Sequence, residues 1–392
     1  MMISHFIAAF LASTILAGII VGTARFHSHI SADGVAGAQK IHSGSIPRVG
    51  GIAIAFGAVI GGLALPGAHG LWSLVALCAV PAFLAGLLED VTKRVSVRTR
   101  LVATILSGGV FAAVSGYSLH HLALPGVDYV LGVPAVAVAF TAFAVGGIAN
   151  AMNIVDGCNG LSSGTSIILF VAFGFIARSA GDAELSALCL LCAAAIAGFL
   201  VWNFPMGKIF LGDAGAYTVG FVLAALAVAL PARNAEISPV IGLLMLIYPV
   251  GETVYSMARR ARRKTGAVGQ PDSMHLHSLT FKALRPVVAS GVLRNSLAGA
   301  TIWLLPLASG VLAFVLREES TGVVLLACAG NFVLYCMAYG LAERGARRAA
   351  SAAQAGRAAE VVSFTLPASG PRRATEGDNP QRELVRTNAT GT

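Results

Sequence analysis

Apolar runs of about 20 residues, the length that a helix needs to cross a lipid bilayer, recur along most of the chain. Only 11% of the 392 residues are charged and the mean hydropathy is +0.78, whereas about a quarter of a soluble domain is charged. The expected fold class is therefore all-α, a polytopic integral membrane helix bundle with about eleven transmembrane helices, or ten if segment 48–65 or 161–178 is re-entrant. The predicted spans are 3–22, 48–65, 71–88, 101–118, 131–150, 161–178, 185–202, 213–230, 237–257, 297–316 and 322–341.

Positive charges fall almost entirely on one side of the predicted membrane if the N-terminus is outside. All but three of the 27 Lys and Arg residues then lie in cytoplasmic segments, and the exceptions are Arg178, Arg233 and Arg317. Because cytoplasmic loops are enriched in Lys and Arg, we expect the N-terminus outside and the C-terminus in the cytoplasm. The net charge of +9 then reflects this topology and contact with membrane lipid, and no nucleic acid is expected as a partner.

The composition changes near residue 343. Residues 1–342 contain every predicted span and form the predicted transmembrane domain, whereas residues 343–392 are rich in Arg, Ala, Ser, Pro and Thr. That composition is typical of a disordered basic cytoplasmic tail or of a segment lying along anionic lipid. The predicted extracytoplasmic loops are short, so any chemistry is expected at the cytoplasmic face.

Four short polar segments interrupt the apolar sequence, and the predicted topology places all of them at the cytoplasmic ends of spans. Acids, amides and basic side chains are costly to place near lipid, which makes such residues a functional site by default. The segments are 88–90, 150–161, 203–215 and 272–277.

Ordinary structural explanations compete with a functional one for these segments. Glu89 and Asp90 could be the solvated end of a helix, although acids suit a helix C-terminus poorly. Asp213 could be a simple helix N-cap. Asn153 and Asp156 are three residues apart, so they lie on one side of a helix end, where packing of apolar groups does not explain them.

The residue types in the polar segments are those that phosphoryl transfer uses. Carboxylates suit a magnesium ion, while lysine, arginine and histidine suit phosphate oxygens. Asp272, His275 and His277 could instead form a zinc site, but no Cys and no second His pair accompanies them. A chain embedded in a membrane implies that one reactant is a lipid.

Two motifs in this order resemble those of the polyprenyl-phosphate N-acetylhexosamine-1-phosphate transferases, glycosyltransferase family 4. This family includes phospho-N-acetylmuramoyl-pentapeptide transferase and the undecaprenyl-phosphate N-acetylglucosamine-1-phosphate transferases. The resemblance covers roughly residues 40–285, and the eleven spans are more similar to the second branch. The motifs are Asn150-x-x-Asn153-x-x-Asp156-Gly157-x-Asn159-Gly160-Leu161 and Lys208-Ile-Phe-Leu-Gly-Asp213-Ala-Gly215.

The resemblance implies a role for each matching position. Asp90, Glu89 and Asp213 would be catalytic, and Asp213 and Asn153 would bind Mg²⁺, for which Mn²⁺ could substitute. The substrate-binding residues would be Asn153, Asp156, Asn159, Asn203, Lys208, Phe210, His275, His277 and Arg48. Three positions depart from the family pattern, namely Glu89, Asn159 and Ser278, where the family usually has Asp, Asp and His. Since the other acids remain, these departures imply a subgroup with its own sugar preference.

The activity implied by the resemblance is transfer of an N-acetylhexosamine-1-phosphate from a UDP-sugar to undecaprenyl phosphate. The reaction would take place at the cytoplasmic face of the bacterial inner membrane, give undecaprenyl-diphosphate-sugar and UMP, and initiate a cell-surface polysaccharide such as O-antigen. The resemblance also implies a homodimer. The alternative is a membrane transporter or lipid-carrier-binding protein without transferase activity, which predicts polar residues scattered at mid-membrane depth.

Overall fold

The computed structural model describes residues 2–26, 46–65, 70–263 and 273–365. Within these ranges the chain forms helices and no β-strand. The helices, numbered in chain order, are α1 Met2–Gly22, α2 Gly50–Ala64, α3 Leu71–Thr92, α4 Val97–Ser115, α5 Pro125–Leu131, α6 Pro134–Val155, α7 Leu161–Ser179, α8 Ala183–Asn203, α9 Gly212–Arg233, α10 Ile241–Met245, α11 Ile247–Arg263, α12 Leu276–Ala283, α13 Gly291–Ile302, α14 Leu304–Val315 and α15 Thr321–Thr365.

Among the described residues, nine helical segments are long and apolar enough to cross a membrane. This finding confirms the prediction of a polytopic membrane helix bundle. The nine segments coincide with nine of the eleven predicted spans. The other two predicted spans fall on α2, which has only 15 residues, and on the separate helices α10 and α11.

Proline explains the two places where a predicted span consists of two helices. Pro249 has no N–H to donate to the carbonyl of Met245, four residues earlier, and the helix is interrupted there. The hydroxyl of Ser309 donates to that carbonyl instead, at 3.2 Å. Pro306 has the same relation to Ile302 at the junction of α13 and α14.

Helix α9 lies at the centre of the bundle, where it packs against α2, α3, α6 and α7, among others. In its spanning part 83% of the residues are buried, the largest share among the spanning segments described. Gly86 lets α3 approach the start of α9 closely, since a Cβ at this position would lie 2.5 Å from the backbone nitrogen of Ala214. Because Asp90 follows Gly86 by one helical turn, this contact brings its carboxylate to the N-terminus of α9.

The described residues divide into two units, one that ends at Ala349 and one that begins at Ala350. Helix α15 continues past Glu343, where the sequence predicts the start of a disordered tail, and ends at Thr365. Residues 343–365 are rich in Ala and Arg, two strong helix formers, and the assignment of residues 343–392 to a cytoplasmic tail stays a prediction. Residues 366–392 lie outside the described part of the chain.

Candidate active site

Asp90, near the end of α3, binds the first turn of α9 through its carboxylate. Its Oδ1 accepts the backbone N–H of Asp213 and its Oδ2 that of Ala214, both at 2.9 Å. Asp90 is fully buried, and the free N–H groups and positive dipole of a helix N-terminus stabilise such a carboxylate. Asp90, which is unfavourable at the C-terminus of α3, is thus stabilised by the N-terminus of α9. The same hydrogen bonds fix the position of Asp213.

Asp213 is the centre of the site, because two guanidinium groups and one amide converge on its buried carboxylate. Arg100 Nη1 donates to Oδ2 in an ion pair, and Asn153 Nδ2 donates to Oδ1 at 3.1 Å. Arg48 Nη2 lies 3.5 Å from Oδ1. The two guanidinium groups lie together beside Asp213, and the planar guanidinium matches phosphate oxygens well.

Arg100 is a site residue that the sequence analysis missed. The predicted span begins at residue 101, which leaves Arg100 in a cytoplasmic loop among the charges that set the topology. Helix α4 begins earlier, at Val97, because the hydroxyl of Ser96 accepts the N–H of Thr99 and caps the helix. Arg100 therefore lies inside α4 and, in addition to Asp213, interacts electrostatically with Glu89 and Tyr217.

Backbone pairing between two distant segments places Arg48. The N–H of Phe210 donates to the carbonyl of Pro47 at 2.8 Å, and the N–H of Gly50 donates to the carbonyl of Phe210 at 3.0 Å. Gly212, at φ +74°, follows this pairing, and a Cβ there would lie 2.0 Å from the carbonyl oxygen of Arg48. Only glycine fits both the left-handed backbone and the close approach.

Glu89 closes the turn between α3 and α4. Its Oε2 accepts the N–H of Val95 at 2.8 Å, in a turn where Lys93 adopts a left-handed conformation, at φ 55°. Glu89 is half-buried and contributes to the electrostatic environment of Arg100. The two adjacent acids thus have different contacts. Asp90 fixes the start of α9, and Glu89 stabilises the turn before Arg100.

Asp156 caps the end of α6, one turn after Asn153. It is half-buried, and no hydrogen bond from a described residue holds its carboxylate. Burial raises the pKa of Asp156 to about 7, with Arg48 opposing the rise and Asp213 and Asp90 adding to it. Asp156 is therefore an available carboxyl group beside the Asp213 cluster.

Asn159 and Asn203 form hydrogen bonds that hold the loops around the site. The backbone N–H of Asn159 donates to Asn295 Oδ1 at 2.6 Å, and its side-chain Nδ2 donates to the carbonyl of Pro205 at 3.2 Å. Asn203 Oδ1 accepts the N–H of Gly160 at 2.7 Å, and its Nδ2 donates to the carbonyl of Ile209 at 2.7 Å. Neither amide is brought to Asp213, so their contact with substrate stays a prediction.

Lys208 and Phe210 lie on the loop before α9, but neither is seen among the described contacts of Asp213. Lys208 is exposed, and its Nζ lies 5.4 Å from the ring centroid of Trp202. Phe210 is half-buried and takes part in the pairing that places Arg48. Their roles in binding nucleotide and diphosphate also stay predictions.

His275 and His277 lie at the start of α12, with stacked rings whose centroids are 5.6 Å apart. His275 Nδ1 lies 2.8 Å from Glu252 Oε1, and Glu252 is a buried acid that the sequence analysis missed. His277 packs against the glycine after Asp156, since a Cβ on Gly157 would lie 2.0 Å from His277 Nε2. The histidine pair is therefore connected to the site by the contact of His277 with the loop after Asp156. Asp272 lies outside the described residues.

The donor set around Asp213 suits a hard cation that shares its coordination with a substrate. Among the described residues no three His, Cys, Asp or Glu side chains form a group that could hold a metal. Mg²⁺ is usually bound by one or two carboxylates together with phosphate oxygens and water. Asp213 and Asn153 fit this pattern. The amide nitrogen of Asn153 donates to Asp213, so its amide oxygen is the atom that could bind the cation.

Comparisons with known proteins identify the family. The profile of glycosyl transferase family 4 matches residues 72–231. A probable undecaprenyl-phosphate N-acetylglucosaminyl 1-phosphate transferase of Bacillus subtilis is 29% identical over 243 residues, which cover 61% of this chain and 66% of that protein. The undecaprenyl-phosphate alpha-N-acetylglucosaminyl 1-phosphate transferases of Yersinia pestis and Escherichia coli K12 are each 32% identical, with coverage of 62% of this chain and 68% of each relative.

The chain thus spans about two thirds of the length of these relatives. The family profile covers every residue of the Asp213 cluster except Arg48. Arg48 is placed beside Asp213 by the backbone pairing of Pro47 and Gly50 with Phe210. With this profile match and relatives at 32% identity, the chain belongs to glycosyl transferase family 4.

Proposed function

We propose that this protein transfers an N-acetylhexosamine-1-phosphate from a UDP-sugar to undecaprenyl phosphate, giving undecaprenyl-diphosphate-sugar and UMP. The observation that carries the proposal is the convergence of Arg48, Arg100 and Asn153 on Asp213 at the N-terminus of a buried helix. The names of the relatives support undecaprenyl phosphate as the acceptor. The product would initiate a cell-surface polysaccharide such as O-antigen.

The proposed step is a direct displacement at phosphorus. An oxygen of the lipid phosphate forms a bond to the sugar-bearing phosphorus of the UDP-sugar, and the bond from that phosphorus to the bridging oxygen breaks, releasing UMP. The second pKa of a phosphate monoester is about 6, so the lipid phosphate is largely dianionic at neutral pH and needs no strong general base. The main barrier is the repulsion between this dianion and the diphosphate.

The two arginines would reduce that repulsion. Arg48 and Arg100 now pair with Asp213, and an incoming diphosphate would share or replace these contacts. Preorganised cations in a partly buried site stabilise developing negative charge without reorganisation during the reaction. Asp90 would keep its role of fixing the α9 turn, since the N–H groups of Asp213 and Ala214 occupy both of its oxygens.

A divalent cation is part of the proposal. Asp213 and the Asn153 amide oxygen would hold Mg²⁺, or Mn²⁺ in its place, together with phosphate oxygens of the donor. When bound, the cation would neutralise diphosphate charge and help align the reacting groups. Asp156 would lie beside it as the available carboxylate, and the phosphate oxygens would complete a coordination that the described residues alone do not supply.

We also propose that the site faces the cytoplasm of a bacterial inner membrane. The site residues of α3, α4, α6 and α9 all lie at one end of the bundle, because their ends contact one another there. This end also carries Lys93, Arg94 and Arg98, as the positive-inside rule requires of a cytoplasmic end. The homodimer stays a prediction.

The deciding experiment uses the full chain purified in detergent with undecaprenyl phosphate, Mg²⁺ and a panel of UDP-N-acetylhexosamines. UMP release and organic-extractable sugar are measured together, with and without EDTA. We expect equal amounts of both products with at least one donor, and loss of both with EDTA or in Asp213→Asn. Asp128→Asn, an equivalent change at the opposite end of the bundle, is the matched control.

Two results would contradict the proposal. Folded protein that binds undecaprenyl phosphate but releases no UMP with any donor would indicate a lipid-carrier-binding protein. Full activity of Asp213→Asn would show that the cluster centred on Asp213 is not the active site.

A further inference from the structure

We propose that Glu252 is a positioning residue that fixes His275 so that its second ring nitrogen, Nε2, hydrogen-bonds the diphosphate of the nucleotide-sugar. This inference rests on the proposed function and adds a residue to its donor site. Glu252 lies on α11, in a predicted span, and was not among the residues singled out from the sequence.

Glu252 is a carboxylate inside the helix bundle, only 1% exposed. Its Oε1 lies 2.8 Å from His275 Nδ1, and its Oε2 accepts the hydroxyl of Tyr335 at 3.0 Å. The backbone N–H of Leu276, the first residue of α12, donates to both oxygens at 3.3 Å. A carboxylate only accepts hydrogen bonds, so Nδ1 of His275 carries the hydrogen and Nε2 is the nitrogen left for another partner.

No described residue makes a hydrogen bond to His275 Nε2. The His275 ring is held parallel to that of His277, with an angle of 7° between their planes. His277 in turn packs against the backbone of Gly157, the residue after Asp156. The ring of His275 is therefore oriented by Glu252 on one side and by a stack that ends at the Asp156 loop on the other.

A second set of contacts holds the backbone of this segment without involving Glu252. Arg259 Nη1 donates to the carbonyl of Met274, and the hydroxyl of Tyr339 donates to the same carbonyl at 2.8 Å. Met274 is thus anchored to α11 and α15 independently of Glu252. The contacts that depend on Glu252 are those with the His275 ring, the Leu276 N–H and the Tyr335 hydroxyl.

A buried carboxylate without partners is destabilising, and Glu252 is held by His275, Leu276 and Tyr335. The ionisable groups that interact with it are His275, His277, Tyr248 and Tyr335. Of the residues hydrogen-bonded to Glu252, only His275 can become a cation. A doubly protonated imidazole would donate one N–H to Glu252 and the other to a phosphate oxygen at Nε2.

The test is a double-mutant cycle on the full-length enzyme with Glu252→Gln, His275→Gln and the double variant. Since hydrogen bonds to charged groups contribute more than neutral ones, we expect each single variant to lose roughly ten- to a hundredfold in kcat/KM for the UDP-sugar. The double variant should be no worse than His275→Gln alone, because Glu252 acts through His275. Losses that multiply, or an unchanged Glu252→Gln enzyme, would overturn the proposal.

Two further variants separate positioning from folding. Tyr335→Phe removes one hydrogen bond to Glu252 but keeps its charge, and we expect at most a small loss of kcat/KM. Glu184→Gln changes a partly buried, ion-paired glutamate at the opposite end of the bundle, and it should leave kcat/KM unchanged. Melting temperatures of all variants identify any that fail to fold.

A spectroscopic readout is independent of turnover. ¹⁵N-histidine spectra of the full-length protein, with the His275 signals identified from their loss in His275→Gln, report which ring nitrogens are protonated. With UDP-sugar bound we expect an imidazolium in the wild type and a neutral ring in Glu252→Gln. The same His275 state in both proteins would refute positioning even if the enzyme is active, whereas an inactive wild type would refute the proposed function instead.

Discussion

Arg100 illustrates how much of the site depends on single side chains. The partners of Asp213 come from three separate segments of the chain, and Arg100 makes the ion pair that lies deepest, with its side chain 14% exposed against 30% for Arg48. A buried guanidinium interacts more strongly with phosphate than an exposed one because water screens it less. We therefore expect Arg100 to contribute more to charge stabilisation than Arg48.

The prediction is that Arg100→Gln lowers kcat/KM for the UDP-sugar by about a hundredfold, the usual effect of removing one donor that stabilises transition-state charge. Arg100→Lys should recover only part of this loss, since an ammonium group cannot form the bidentate contact. Steady-state kinetics measure the effect, and Arg98→Gln, an exposed arginine in the same turn of the helix, is the control. Equal losses in the two glutamine variants would assign the effect to general surface charge.

At the scale of elements, the contact between the end of α3 and the start of α9 organises the site. Gly86 permits the close approach, and Asp90 accepts two N–H groups of α9. An amide at position 90 would offer one acceptor oxygen and direct an NH₂ group at the second N–H. We predict that Asp90→Asn loses activity and also destabilises the protein by about 1–3 kcal/mol, the effect of leaving a buried donor unpaired.

Thermal unfolding in detergent, followed together with activity, checks this prediction. Glu89→Gln is the matched variant, because its amide oxygen can still accept the N–H of Val95, and its melting temperature should stay close to that of the wild type. An Asp90→Asn protein that is as stable as the wild type but inactive would instead make Asp90 a purely catalytic group.

The same elements show what the sequence could and could not predict. Apolar run length predicts where helices lie, and the breaks at Pro249 and Pro306 follow from the missing proline N–H. The family resemblance predicts that Asp90, Asn153 and Asp213 belong to one site. Arg100 and Glu252 were missed because their importance depends on which helix faces lie inside the bundle, and that is set by long-range contacts such as the pairing of residues 47–51 with 210–211.

For the whole molecule, the two ends of the bundle carry different chemistry. The site end gathers arginines around Asp213, whereas at the opposite end Arg233 is bound by Asp182 and Glu184, so its charge is neutralised within the protein. Lys93, in the turn between α3 and α4, and Tyr129, in α5, are exposed at the site end and the opposite end respectively. Because unpaired positive charges are retained on the cytoplasmic side, the site end is expected to face the cytoplasm.

We therefore predict that Lys93→Cys reacts with a membrane-impermeant maleimide in inside-out vesicles and Tyr129→Cys in right-side-out vesicles. The six native cysteines are buried or half-buried, so the unsubstituted protein measures the background labelling. The reverse pattern would place the site outside, where nucleotide-sugars are not supplied, and would contradict the proposed reaction as well as the topology. Labelling of both positions from one side would mean that α4 does not cross the membrane, and the helix that carries Arg100 would need a different placement relative to the bilayer.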